Sequence, residues 1–378
     1  MEIEGKNDQI KSISNSINII NNSDKNHPTN SINNELKDIS DNNSYTSHKQ
    51  KNNNIQIPSV SINRSTIDTE NKNEKLTVKS SYTDQKIQLS FYSKNNPSII
   101  KTNPFSKEEW SIIFTNNTLE TIDNNRLLIS LKAGIPPEIR GRVWMLLSRS
   151  FHTYKEKNNI KYKNLLKEKN EEVDDLIKRD INRTILNKDK KNIIKTDPKK
   201  LFNVLKAYSV IDKEVAYCQG TNSIVATILL CIGKEEFCFW TFYNLMQRNQ
   251  WRNFFIDKTP KLFRMVDMLK VNFKVKLKDL YEYFQEIKFT DYYIDVIFSQ
   301  FFLTIFTYYC PIDLSLRIID LFWVYEENVI INTIINILFL MKEEMKKMDN
   351  EKLISYLKKD IVFDAVEKYG VDYIINLL

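Results

Sequence analysis

Apolar residues recur at the spacing of one helix face through the last three quarters of the chain. Four such stripes take positions three, four or seven residues apart, as core-facing helices require. Their members are Ile139, Val143, Leu146 and Leu147; Val173, Ile177, Ile181 and Ile185; Leu201, Val204, Leu205 and Tyr208; and Ile224, Thr227, Ile228 and Cys231. Strand-like alternation is hard to find after residue 104. The pattern therefore predicts one large all-α domain built from many helices.

Two local features refine this prediction. In the stretch AGIPPE, Pro136 and Pro137 suit the cap and first turn of a helix, and Glu138 complements its N-terminal dipole. The run 296–312 is uncharged for 17 residues, at the lower limit for a membrane span, and it contains Gln300 and Pro311. We expect this run to form a buried helix rather than a transmembrane one.

The first hundred residues differ in composition from the rest. They are rich in Asn, Ser, Lys and Ile, and no Phe or Trp precedes Phe91. Such a segment cannot bury enough apolar surface to offset its chain entropy. We therefore expect residues 1–103 to be a disordered low-complexity tail and residues 104–378 to form the folded domain. The N-terminus has no signal-peptide pattern.

The charge balance limits the class of partner. The formal net charge is +7, and it is spread along the chain rather than gathered into the basic stripe of a nucleic-acid binder. Two Lys-rich stretches, 155–169 and 188–200, are interrupted by Asn and acidic residues. They are interpreted as solvated faces and loops, with contact to an acidic protein or a membrane surface as the alternative. No nucleic-acid partner is expected.

Several kinds of site are excluded or weakly supported. The chain has no glycine-rich phosphate loop, and His152 is the only histidine of the domain, so neither a nucleotide site of its own nor a His-rich metal site is expected. Cys218, Cys231, Cys238 and Cys310 lie among apolar residues and are interpreted as reduced core cysteines of a cytoplasmic protein. A nucleophilic pair of Cys218 and His152 is an alternative without local support.

Two polar stretches stand out from the helical pattern. In VDDLIKRDINRTIL (173–186), Asp180 lies about 60° from Ile177 around the helix, and Arg183 lies one turn later. Asp180 can thus orient the Arg183 guanidinium, although an exposed ion pair worth about 0–1 kcal/mol is the simpler interpretation. In VAYCQGTN (215–222), Gln219 precedes an apolar run, and Thr221, Asn222 and Ser223 are candidate N-caps.

Taken in order, several stretches resemble the TBC domain, the family of GTPase-activating proteins for Rab-type small GTPases. They are KAGIPPEIRGRVWMLL, IKRDINRT, LFNVLKAYSVIDKEVAYCQGTN, EEFCFWTFYNLM, SQFFLTIFTYYCP and LRIIDLFW. The resemblance runs from about residue 127 to about 345. Its most specific motifs are I-x-x-D-x-x-R-T, matched by Ile177, Asp180, Arg183 and Thr184, and Y-x-Q-G, matched by Tyr217, Gln219 and Gly220.

The resemblance implies a role for each matched position. Arg183 would be the arginine finger inserted into the nucleotide site of the GTPase, and Gln219 a second finger that replaces the GTPase's own water-positioning glutamine. Asp180 would support the arginine. Tyr217 would anchor the loop, and Gly220 would allow a close turn. Arg140 and Trp144, in R-G-x-V-W, look like a structural element that fixes the first helix of the domain.

The resemblance also sets the expected partner and architecture. The partner would be a GTP-bound Rab-family GTPase that carries its own GTP and Mg²⁺, so the chain would need no cofactor and no metal. The fold would be two helical lobes forming a groove that Arg183 and Gln219 share. Association with endomembranes would be peripheral. The alternatives are a TBC-like scaffold that binds a GTPase without activating it, and an unrelated enzyme that uses Cys218.

Some positions depart from the family pattern. Ala216 and Thr221 replace the usual Gly before, and Met after, the Y-x-Q-G motif. Ile185 and Leu186 replace an aromatic residue and a proline after the arginine motif. Phe301 and Ile319 stand where tryptophans are usual. Both finger positions are retained, so the departures bear on loop geometry and partner choice.

Overall fold

A computed structural model describes residues 103–116, 122–157, 160–185 and 196–378, apart from the side chains of residues 183–185 and 249. All regular secondary structure in these ranges is helical, which confirms the all-α prediction. Residues 1–102, nearly the whole of the predicted tail, lie outside the described residues, as does Leu186.

The first helices, apart from the second, form one packed group. They are α1 (Lys107–Asn116), α2 (Asn124–Ala133), α3 (Pro137–Leu147), α4 (Ser150–Glu156), α5 (Tyr162–Leu165), α6 (Glu171–Ile185), α7 (Pro198–Ile211), α8 (Thr221–Ile232) and α9 (Glu235–Gln247). Within this group α7 packs against α6, α8 and α9, and α8 also packs against α3. A 3₁₀ helix, Arg248–Phe254, leads from α9 into the remaining helices.

The remaining helices pack mainly against one another. They are α10 (Pro260–Lys276), α11 (Lys278–Glu286), α12 (Asp291–Thr304), α13 (Ile312–Tyr325), α14 (Glu327–Leu340), α15 (Lys342–Met345), α16 (Asn350–Lys359), α17 (Ile361–Tyr369) and α18 (Val371–Asn376). Helix α10 lies against α12 and α14, while α13 reaches the first group by packing against α2 and α3.

The apolar stripes point inward as predicted. The described members of the four stripes are buried or half-buried, and they join one continuous hydrophobic core. The start of α3 also follows the sequence, because Pro136 is its N-cap, Pro137 is its first residue and Glu138 lies in its first turn. Three other described helices begin at an aspartate whose side chain accepts a backbone hydrogen bond: Asp123 before α2, Asp197 before α7 and Asp349 before α16.

The uncharged run 296–312 is only partly a helix. It is buried within α12 as far as Thr304, but Ile305 and Phe306 take left-handed backbone angles and end the helix there. Residues 305–311 form a loop, so the expectation of one continuous buried helix is wrong for this half of the run. No helix in the described part of the chain is long and apolar enough to cross a membrane.

A buried charged cluster joins α3 to α13. The Asp320 side chain has no exposed surface, and it accepts hydrogen bonds from Arg140 Nε at 3.2 Å and from Trp144 Nε1 at 2.7 Å. Burial raises the pKa of the Asp320 carboxyl to about 6, although Arg140 and the Trp144 hydrogen bond act in the opposite direction. The R-G-x-V-W motif therefore fixes its helix by reaching a residue 180 positions further along the chain.

The glycine of the same motif has a separate task. A Cβ atom on Gly141 would overlap the carbonyl oxygen of Cys231 and lie 2.8 Å from its carbonyl carbon. Both atoms belong to the backbone near the end of α8, so neither can move aside as a flexible side chain could. Only glycine lets α3 and α8 approach this closely.

We expect Gly141→Ala to lower the free energy of unfolding by about 1–3 kcal/mol, because the added methyl group forces two helices apart. At an ordinary helix position the same change raises stability by up to about 1 kcal/mol, so the sign alone is diagnostic. Urea denaturation followed by circular dichroism measures the difference. An unchanged or raised stability would show that the close approach of α3 to Cys231 is not a constraint.

Candidate functional site

The helix that carries the arginine motif is held by its buried face. Ile177 and Ile181 are buried in the core, and Asp180, at the edge of this face, is only 8% exposed. Arg183 and Thr184 lie in the last turn of α6, but their side chains are outside the described residues. The expected ion pair between Asp180 and Arg183 therefore stays a prediction.

An ion pair secures α6 to its neighbour. Lys206 of α7 contacts the Asp174 carboxylate at 2.5 Å, and both side chains are largely buried. The pair lies about one and a half turns of α6 before Asp180. It adds to the apolar packing of α6 against α7 and α8, so the first part of the site stands on a fixed helix.

The loop that carries the glutamine is organised by Asp212. This carboxylate accepts hydrogen bonds from Tyr208 Oη at 2.8 Å, and from Arg252 Nε at 3.0 Å and Nη2 at 2.8 Å. It also accepts from the Val215 amide at 3.3 Å, while its own carbonyl accepts from the Ala216 amide at 2.7 Å. Burial opposes ionisation, but the bonds from Arg252, Tyr208 and Val215 hold the pKa of Asp212 below its ordinary value.

One hydrogen bond brings the two motifs together. The Tyr217 hydroxyl donates to Asp180 Oδ2 at 2.7 Å. Asp180 lies one helical turn before Arg183, and Tyr217 lies two residues before Gln219. The backbone positions of the two candidate fingers therefore belong to one region of the molecule. Tyr217 thus links the glutamine loop to the aspartate of the other motif, and its role as an anchor stays a prediction.

The turn after Tyr217 is closed by the residues that follow Gln219. The Thr221 hydroxyl donates to the Cys218 carbonyl at 2.7 Å, and the Asn222 side chain accepts from the Gly220 amide at 2.9 Å. Gly220 has a φ of +100° and is the N-cap of α8. Thr221, Asn222 and Ser223 are thus first-turn residues, and the expectation that one of them is the N-cap is wrong.

Gly220 also lies close to the end of another helix. A Cβ atom there would lie 3.2 Å from Thr304 Cγ2, at the end of α12. The Ser223 hydroxyl lies 2.8 Å from the Thr307 hydroxyl in the loop after α12. The turn that carries Gln219 therefore packs against α12 and the loop that follows it, in the second group of helices.

Gln219 is half-buried at this turn. Its side chain forms no hydrogen bond with any residue that the structure describes. An amide both donates and accepts, so it can orient a water molecule or contact a polar group of a partner. The described neighbours of Gln219 fix its backbone, and its side-chain amide makes no hydrogen bond to them.

The alternative nucleophile is not supported. Burial raises the pKa of the Cys218 thiol to about 11, and its Sγ contacts the carbonyl oxygens of Val215 and Phe255. His152 is an exposed residue of α4 that lies 3.1 Å from Glu156. Cys218 is thus a neutral thiol rather than an activated thiolate. All four cysteines are free, as expected.

Three residues that support the site were not predicted from the sequence. Asp320 lies within LRIIDLFW, where one carboxylate in an apolar helix indicates a buried counter-charge. Asp212 and Arg252 shape the glutamine loop, but they lie 40 residues apart, and no local sequence pattern indicates that they form an ion pair. The expected groove shared by Arg183 and Gln219 stays a prediction, because the Arg183 side chain is outside the described residues.

The arrangement matches a known family. The model of the Rab-GTPase-TBC domain matches residues 137–346, more than half of the chain. The chain therefore belongs to this family, which confirms the resemblance. The match covers the R-G-x-V-W cluster, both polar motifs and the helices through α15.

Similar proteins include regulators named for GTPase activation. The chain is 29% identical over 306 residues to the GTPase-activating protein GYP5 of Eremothecium gossypii, covering 78% of this chain and 35% of that protein. It is 30% identical over 270 residues to the Rab GTPase-activating protein eat-17 of Caenorhabditis elegans, covering 68% of this chain and 28% of that protein. The matched regions thus span about a third of these relatives' length.

Solved structures share the fold. The RabGAP TBC domain from the Chlamydomonas flagellum is similar with a TM-score of 0.59 at 20% identity, covering 71% of this chain and 88% of that one. The Ypt/Rab-GAP domain of Gyp1p gives a TM-score of 0.55 at 18% identity, covering 71% and 95%. At these identities the likeness shows the helical architecture.

We expect Tyr217→Phe to lower the free energy of unfolding by about 1–2 kcal/mol, because the change removes a hydrogen bond from a buried carboxylate. Tyr373→Phe is the matched control, since Tyr373 is 52% exposed on α18. Urea denaturation of both variants gives the comparison. Equal effects would show that the Asp180–Tyr217 bond does not hold the loop.

Ala216→Gly is expected to raise the free energy of unfolding by about 0.5–1 kcal/mol. Ala216 has a φ of +49°, in the left-handed region that disfavours a Cβ atom and suits glycine. The family's usual glycine is thus explained by backbone strain. The control is Ala133→Gly at the end of α2, which should lower stability. A loss of stability at both positions would contradict the interpretation.

Proposed function

We propose that this protein is a GTPase-activating protein for a Rab-type small GTPase, to which it supplies Arg183 and Gln219 in trans. Family membership and the names of the relatives support the activity. The observation that carries the two-finger mechanism is the Asp180–Tyr217 hydrogen bond, since it ties the helix of Arg183 to the loop of Gln219. The protein would act in vesicle trafficking, with peripheral association on endomembranes.

The chemistry suits these two residue types. GTP hydrolysis develops negative charge on the phosphoryl oxygens, and a guanidinium offers directed donors that stay protonated. The attacking water needs orientation, which the Gln219 amide provides by donating and accepting together. The GTPase brings the GTP and its Mg²⁺. Neither finger transfers a proton, so the site needs no group with a pKa near neutrality.

The buried residues around the two fingers are placed where they can orient them. Asp180 is positioned to accept from Tyr217 on one side while lying one turn from Arg183 on the other. Asp212 and Arg252 hold the loop, and the turn at Gly220 and Thr221 sets the direction of Gln219. In this proposal the buried groups orient the fingers, and the fingers alone meet the nucleotide.

We expect catalytic amounts of the chain to accelerate hydrolysis by at least one member of a panel of GTP-loaded Rab proteins. Arg183→Ala should lower the rate constant by about 10³–10⁵-fold, equivalent to ~4–7 kcal/mol of barrier. Gln219→Ala should also impair it severely. Single-turnover phosphate release measures both effects at matched concentrations.

Matched controls lie close to each finger. Arg179 is exposed one turn earlier on α6, and Gln247 is exposed at the end of α9, so Arg179→Ala and Gln247→Ala should retain the activity. Full activity of Arg183→Ala would refute the finger mechanism. Binding of a GTP-loaded Rab without any acceleration by the unmodified chain would instead identify a scaffold.

A further inference from the structure

Helix α10 is apolar on the side that faces solvent as well as on the side that faces the core. Leu262 is 3% exposed, and Val271, nine residues later, lies about 180° away around the helix. Val271 is 63% exposed, and its neighbours on the same face, Val275 and Met268, are 75% and 40% exposed. A surface helix of a soluble domain normally places charged or polar residues there. We call Met268, Val271 and Val275 the outer face of α10.

Basic residues without acidic partners accompany this outer face. Arg264 lies within about 20° of Val271 around the helix, and Lys274 and Lys276 lie in the last turn. None of the three forms an ion pair with a described residue, and Lys274 lies 5.9 Å from the centre of the Tyr281 ring. Exposed cations elsewhere on the described surface are often paired, as Lys178 is with Asp175.

The acidic residues nearest this face have basic partners. Asp267 lies 2.9 Å from Lys270, which also pairs with Asp295 of α12, so these three groups together carry one negative charge against the three positive charges of Arg264, Lys274 and Lys276. Asp279, at the start of α11, pairs with two lysines, Lys342 and Lys346. The outer face of α10 therefore combines three unpartnered apolar side chains with an excess of positive charge.

We propose that the outer face of α10 docks on an anionic lipid surface, with Met268, Val271 and Val275 entering the interface and Arg264, Lys274 and Lys276 meeting the lipid phosphates. Basic amphipathic helices bind membranes in this way, through shallow apolar insertion and electrostatic attraction. Three side chains on a convex helix offer far less than the ~800 Å² per partner of a stable protein interface. The charge complementarity selects an anionic bilayer as the occupant.

The proposal goes beyond the GTPase-activating function and does not depend on it. Helix α10 packs against α12 and α14, whereas both candidate fingers belong to the first group of helices. Docking through α10 would give a physical basis for peripheral association by the chain itself.

The test is cosedimentation of the full chain with vesicles of phosphatidylcholine alone and with vesicles that contain about 30% phosphatidylserine. We expect binding to the anionic vesicles, weaker binding to the neutral ones, and loss of binding as salt screens the charges. Val271→Ser with Val275→Ser should lower the partition coefficient at least about tenfold, since two apolar side chains are removed from the interface. Lys274→Glu with Lys276→Glu should do the same.

Two controls separate this face from other surfaces. Leu230→Ser changes a side chain that is 43% exposed on α8, and Lys163→Glu with Lys167→Glu changes the exposed Lys-rich stretch after α4. Both should retain vesicle binding. All variants should keep the helical circular dichroism and, where the chain is active, the rate on a soluble Rab.

Three outcomes would overturn the proposal. One is the absence of any preference for anionic vesicles. Another is unchanged binding of the Val271→Ser, Val275→Ser variant, or loss of binding only on changing Lys163 and Lys167. The third is light scattering that shows a dimer of the unmodified chain and a monomer of the valine variant, because the face would then bind a second copy.

Discussion

The Asp320 carboxylate fixes the two groups of helices to each other. A buried carboxylate without a counter-charge is strongly unfavourable, so α13 must lie where Arg140 and Trp144 of α3 can reach it. Apolar packing between α3 and α13 would tolerate several helix registers, whereas the bonds of Asp320 to Arg140 and Trp144 form in only one. We therefore interpret this cluster as selecting one register of helix packing rather than as adding net stability. Its effect reaches the site in two steps, because Gly141 then sets α3 against the end of α8, and α8 begins directly after the turn that carries Gln219.

The site itself depends on a different principle, which is the use of buried polar groups to orient exposed ones. Tyr217 donates a hydrogen bond to the Asp180 carboxylate, and the Asp212 carboxylate accepts one from Tyr208. These bonds give the loop between α7 and α8 a fixed path without regular secondary structure. A loop on a rigid base would suit the role proposed for Gln219, because misplacement of a catalytic group by about 1 Å can cost a hundredfold in rate. The strained Ala216 backbone is tolerated because these contacts on both sides determine its conformation.

Helical periodicity predicted the fold class and the inward faces, because each stripe reports on its own helix. The motif spacing also led to Asp180 and Tyr217, although not to the bond between them. The sequence failed where the outcome depended on distant residues. The end of α12 at Thr304 places Ile305 and Phe306 in left-handed conformations that their side chains disfavour, and only the tertiary packing there favours them. Asp320 likewise finds its partners 176 and 180 residues away, beyond any local pattern.

Three departures from the family pattern, Phe301, Ile319 and Thr221, are buried in the molecule. Phe301 and Ile319, where tryptophans are usual, are 3% and 0% exposed and belong to the core, so they change packing volume and not the surface a partner meets. Thr221 is 3% exposed, and its hydroxyl closes the turn by bonding to the Cys218 carbonyl, a contact that methionine lacks. The substitution therefore replaces apolar contact by a hydrogen bond at the residue after Gly220. Because that bond spans Gln219, the turn that presents the amide is held from both sides without the usual residue.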